Sequence, residues 1–198
     1  GLLRKFWEIE EINRGPFLSK GEQFCEKLFQ DTTERDNMGK FIVRVPFKEN
    51  LNQLGNSRKN AVRSFLNLEQ RLLKNPKLHT EYDAFMRDYE EMGHMTEIVD
   101  EEESEELSYY IPHRAVLKED SVTTKLRVVF NASRKTDSGL SLNDVLHQGP
   151  TLQNDLFDIL INFRLHNFVM SADVSKMYRM IWLHPDDKRF HKIFWRSS

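Results

Sequence analysis

The sequence predicts an α+β fold, a helical N-terminal region followed by strands, and three observations predict it. Apolar residues recur at helical spacing between residues 57 and 93. Two strand-like runs, residues 109–118 and 125–132, flank the polar stretch 119–124 as the arms of a hairpin flank its loop. The nearly continuous apolar run 168–174 has the composition of a strand covered on both faces.

Taken in order, residues 18–30 read as a first helix. Residues 32–36, Asn37-Met38-Gly39 and residues 40–45 read as strand, turn and strand, with Pro46 ending the hairpin. Ser57 opens a second helix, on which Ala61, Phe65, Leu68 and Leu72 share one face. Asn75-Pro76 supplies an N-cap and then a proline at the first helical position. The third helix carries the stripe Leu78, Tyr82, Phe85, Tyr89 and Met92, and Gly93 is its stop. Such a stripe could line a binding site, but its spacing assigns it to the core. Leu152, Leu156, Ile159 and Phe163 predict a further helix with one apolar face, and residues 189–195 form the last candidate strand. Asp186-Asp187, after Pro185, reads as a polar turn.

Charge divides the chain where the pattern changes. Residues 1–106 hold 16 basic and 22 acidic residues, a balance of −6, whereas residues 107–198 hold 13 and 9, a balance of +4. The acidic excess gathers between Glu97 and Glu106, read as a solvated loop joining a helical region, 1–106, to a strand-rich region, 107–198. The 39% hydrophobic and 30% charged residues make a folded composition rather than a disordered one. No apolar stretch is long enough to cross a bilayer, so no membrane partner is expected. A single cysteine, Cys25, excludes an internal disulfide framework and suits a reducing compartment. The opening Gly1-Leu2-Leu3-Arg4 lacks an initiator Met and does not read as a signal peptide, so the chain is expected to be part of something longer.

Asp173 is the residue most suggestive of chemistry. It follows Val169-Met170-Ser171-Ala172, where a strand would leave the core, and an unpaired carboxylate there needs a cation or strong donors. A Mg²⁺ ion is one partner and an N-cap on the turn at Val174 is the other. Lys118, Lys125 and Arg127 flank the polar connection, placed either to converge on a triphosphate or to keep a hairpin edge soluble. Tyr178 is either a core tyrosine or a ring beside a bound nucleotide. The histidines do not fall at metal-ligand spacing with Cys25, which itself sits among apolar neighbours as a packing residue.

In order, these pieces resemble a family. Tyr109-Tyr110-Ile111-Pro112-His113-Arg114-Ala115-Val116 is followed by Lys125-Leu126-Arg127-Val128-Val129-Phe130-Asn131-Ala132-Ser133. Then come Leu142-Asn143-Asp144-Val145-Leu146-His147-Gln148-Gly149-Pro150 and Ala172-Asp173-Val174-Ser175-Lys176-Met177-Tyr178. Together with Phe6-Trp7-Glu8-Ile9-Glu10-Glu11-Ile12 and Leu54-Gly55-Asn56-Ser57-Arg58, they resemble the reverse transcriptase region of BEL/Pao-type retrotransposon polyproteins.

The resemblance implies polymerase fingers and the beginning of a palm sheet. It implies that Asp173 is the first metal-binding aspartate, with the Val174 carbonyl as a further ligand to one of two Mg²⁺ ions. Lys118, Arg127 and Lys125 would hold the deoxynucleoside triphosphate, and Tyr178 would exclude ribonucleotides. An RNA or DNA template-primer and the remaining palm, thumb and RNase H regions of the parent are the implied partners. The implied location is cytoplasmic, in a virus-like particle. The family's later aromatic-x-Asp-Asp motif does not follow Asp173, so these 198 residues are expected to be inactive alone. The alternative is a non-enzymatic relic, or a host-adopted module that binds nucleic acid or protein.

Overall fold

A computed structural model describes residues 18–98, 106–117 and 126–196, and its architecture is mixed α+β. The first helix, α1 (Lys20–Thr32), starts where Ser19 and Glu22 cap each other: Ser19 Oγ accepts from the Glu22 amide and Glu22 Oε2 from the Ser19 amide. A hairpin follows, β1 (Glu34–Arg35) and β2 (Phe41–Val43). Its turn is closed by Asp36 Oδ1, which accepts from the Met38 and Lys40 amides at 2.8 and 2.9 Å, and by Gly39 at φ 82°.

Two long helices come next, α2 (Arg58–Leu73) and α3 (Pro76–Glu91). Asn75 accepts from the Leu78 amide and Pro76 needs no partner for a missing N–H, so the chain turns sharply into α3. Gly93, at φ 72°, stops that helix as its position predicts. The strands β3 (His113–Leu117) and β4 (Leu126–Phe130) pair antiparallel into a ribbon. A ten-residue helix, α4 (Leu156–Leu165), precedes β5 (Ile181–Leu183).

β5 joins the first hairpin rather than the ribbon. It runs parallel to β2, with Phe41, Ile42 and Val43 beside Ile181, Trp182 and Leu183, giving a sheet of order β1-β2-β5. The predicted strand at 189–195 is corrected here: residues Pro185–His191 form a 3-10 helix, started by Pro185, and the strand lies before it. Asp186-Asp187 is also corrected. Asp187 is 2% exposed and accepts from Arg44 Nε and Nη2 at 2.8 and 3.0 Å and from the Val45 amide at 2.8 Å. A turn that sequence alone makes polar surface is thus an anchor between the hairpin and the last helical turn.

Two apolar clusters make the core. One combines Leu68, Leu72, Leu78, Tyr82 and Met86 of α2 and α3 with Ala115 and Leu126 of the ribbon. The other holds Leu54, Tyr109, Ile111, Leu142, Val145 and Phe190. The aromatic stripe of α3 therefore packs as core, with Met86 completing it. Each cluster draws residues from both sides of position 106, so the seam in charge is not a seam in packing. Ile193 packs against both clusters.

Candidate functional site

The end of α3, the β1–β2 turn and the approach to β5 meet at one corner. Trp182, in register with Ile42, sends its indole N–H to Asp36 Oδ2 at 3.0 Å. The Lys40 amide above all, with those of Met38 and the Trp182 indole, holds the Asp36 carboxyl below its usual range against the opposing effect of burial. The Lys40 ammonium lies 4.5 Å from the Trp182 ring centroid. The Arg179 guanidinium lies 5.1 Å from the Tyr89 ring and 5.3 Å from Phe85. His94 sits between the rings of Tyr89 and Trp182, at centroid distances of 5.2 and 6.2 Å. Burial first, and then the charges of Arg179, Lys40 and Lys176, push its pKa down.

Lys176 reaches the same corner from the segment that carries Asp173. Its backbone is left-handed, φ 55° and ψ 28°, a conformation that costs a side-chain-bearing residue roughly 1–2 kcal/mol. Its ammonium lies 3.1 Å from Met92 Sδ, just beyond the end of α3, and its carbonyl accepts from the Arg179 amide. The left-handed turn starts the 3-10 helix Met177–Met180, which delivers Arg179 to the rings of α3.

The candidate catalytic residues precede this turn in open surroundings. The apolar run 168–174, expected as a buried strand, forms no strand: Phe168 and Met170 are each 94% exposed and pair with no strand among the described residues. That expectation is corrected, and the reason is that an apolar run expresses a need for cover without supplying it. α4 is likewise without a buried residue, so its expected apolar face is not packed. Asp173 is exposed and makes no hydrogen bond or ion pair with another described residue, so the N-cap alternative is not realised. Val174 and Tyr178 are 64% and 84% exposed; Tyr178 is not a core tyrosine.

Arg127 lies elsewhere, on the outward face of β4 beside Val116, together with Arg114 and Val129. Lys118 and Lys125 fall outside the described residues, and the last ribbon pair before them is Leu117 with Leu126. Among the described residues, no hydrogen bond or ring contact joins this ribbon to Asp173. The inward face of the ribbon carries His113, 6% exposed, which bridges Tyr82 and the Phe194 carbonyl at 2.6 and 2.8 Å.

The described residues do not by themselves fit a pair of Mg²⁺ ions. Asp173 offers one carboxylate and Val174 a carbonyl, and no three His, Cys, Asp or Glu among the described residues gather where a metal could sit. The corner formed by Lys40, His94, Lys176, Arg179 and Trp182 is absent from the sequence reading. Its members come from three separate stretches of chain, and the local sign is a pair of cations one turn apart just after Asp173. Cys25 is half-buried on α1, and burial raises its thiol pKa, in keeping with a packing role. No family model, no curated protein and no solved structure matches the chain.

Proposed function

We propose that these residues are the fingers and the opening of the palm of an RNA-directed DNA polymerase of the BEL/Pao retrotransposon type. The observation that carries the reading is the order of its motifs: 109–116, 125–133, 142–150 and then Asp173 with Tyr178 five residues on. Two features of the fold are compatible with it. Asp173 and Tyr178 are both open to solvent on one short stretch, where a nucleotide could reach them. Arg127 stands on the outward face of a two-stranded ribbon, whose connection carries Lys118 and Lys125.

The reaction would be attack of a primer 3′-hydroxyl on the α-phosphate of a deoxynucleoside triphosphate, directed by a template. Arg127, with Lys118 and Lys125, would position the triphosphate, and Tyr178 would select against a 2′-hydroxyl. Asp173 would be the first carboxylate of the catalytic centre in a longer protein that supplies the others. The test is nucleotide incorporation on a primed template by a protein extended through an aromatic-x-Asp-Asp motif. Incorporation that Asp173→Ala abolishes supports the reading. An extended protein that folds, yet whose incorporation survives Asp173→Ala, overturns it.

A second reading, a non-enzymatic nucleic-acid-binding module, is favoured by Asp173 having no metal-ligating group gathered around it among the described residues. It expects salt-dependent binding with no chemistry that depends on Asp173.

A further inference from the structure

We infer that Lys40, Lys176 and Arg179, gathered around His94 and Trp182, form a seat for backbone phosphates of a single-stranded nucleic acid. Nucleic acid as the ligand rests on the polymerase reading; the seat itself rests on the geometry. Three cations from two separate parts of the chain surround one imidazole: Lys40 on the Trp182 ring and Arg179 on the Tyr89 ring, the two rings that flank His94, and Lys176 at Met92, two residues before it. Like charges repel, so this convergence needs compensation.

The compensation within the protein is small. None of the three cations forms an ion pair with a carboxylate among the described residues. Asp36, the acid at this corner, accepts from the Lys40 and Met38 amides and the Trp182 indole, and its charge offsets part of that of Lys40 but not those of Lys176 and Arg179. The C-terminal end of α3 contributes its partial negative charge, and its last turn has no basic residue of its own. That end accounts for a cation beside Met92 but not for three. Burial first, and then these three charges, oppose protonation of His94, whose ring lies between those of Tyr89 and Trp182.

The rings set the positions. Lys40 rests on Trp182 and Arg179 on Tyr89 and Phe85, so each charged head is held at a fixed place. Lys176 is fixed by its left-handed backbone and its contact with Met92. An ammonium is a compact charge suited to a phosphate oxygen, and a guanidinium offers a fork of donors. Fixed cations on an aromatic floor, one of them (Lys176) three residues after Asp173, suit a strand of regularly spaced phosphates passing the candidate catalytic residue.

The test uses the 198-residue chain and a fluorescein-labelled oligothymidylate, with affinity measured across salt concentrations and no Mg²⁺. Each phosphate contact contributes about 0.7 to the slope of log affinity against log salt for a single strand. Lys40→Gln with Lys176→Gln is therefore expected to lower the slope by about 1.4. Lys59→Gln with Arg63→Gln, which removes two charges from the outer face of α2, is expected to leave it unchanged. Urea melts of both pairs confirm that the fold is kept. No binding by the unaltered chain overturns the inference, as does an unchanged slope in the first pair or an equal fall in both. None of these outcomes bears on Asp173-dependent incorporation by the extended protein, so the seat and the polymerase reading fail separately.

Discussion

The Phe194 carbonyl can only accept, so His113 Nε2 must donate to it, and in the neutral ring Nδ1 then accepts from the Tyr82 hydroxyl. Burial disfavours the charged ring and pushes its pKa below the ordinary 6.5, against the opposing effect of the bond to Phe194. The sign follows: the stabilisation is complete above pH 6.5 and is lost as the pH falls below it, because the unfolded chain binds the proton first. His191, whose pKa burial also lowers, acts in the same direction. Urea melts above and below that pH should thus show falling stability, with a smaller fall in His113→Phe. An identical fall in both proteins would remove His113 from the explanation. Asp187 gives a second expectation at this scale. Its loss leaves the Arg44 guanidinium and the Val45 amide without their acceptor, so Asp187→Ala should cost about 3 kcal/mol. Asp186→Ala, at a side chain 64% exposed, should stay within about 0.5 kcal/mol by the same denaturant measurement.

Among the elements, α3 and α4 sit at opposite extremes. α3 has a cap at Asn75, a glycine stop at Gly93 and three fully packed side chains, Leu78, Tyr82 and Met86. α4 has a cap, with Asp155 accepting from the Phe157 amide at 2.7 Å, but no buried residue. A helix of ten residues without packing is marginal on its own. Amide hydrogen exchange should therefore find α4 opening locally, orders of magnitude faster than the centre of α3. Equal protection in the two helices would mean that α4 is covered in solution. Removing the cap of α3 by Asn75→Ala should cost about 1 kcal/mol, read from a urea melt.

Across the whole molecule, the two core clusters are tied together by shared chain rather than by a large common interior. Ile193 touches both, and each contains residues from either side of position 106. The extended stretch after Pro185–His191 reinforces the link, since the Ile111 amide donates to the Lys192 carbonyl at 2.7 Å and the Lys192 amide to Tyr109. One cooperative transition is expected, with near-ultraviolet and far-ultraviolet circular dichroism falling together in urea. Separate transitions would mean that the clusters fold independently.

Local chemistry is what the sequence by itself determined. The α+β class, the caps at Asn75 and the stop at Gly93, the core stripe of α3 and the ribbon all follow from spacing and from residues with fixed backbone preferences. Such signals span a few residues, and physics acts on them within a few residues. The parallel pairing of β2 with β5, the burial of Asp187 against Arg44 and the gathering of Lys40, Lys176 and Arg179 were decided by tertiary structure alone. In each, the partners lie far apart in the chain, and nothing in either one's neighbours announces the other. The apolar run before Asp173 marks the same boundary from the other side. Its composition states a preference for burial, and only a packed neighbour can grant it.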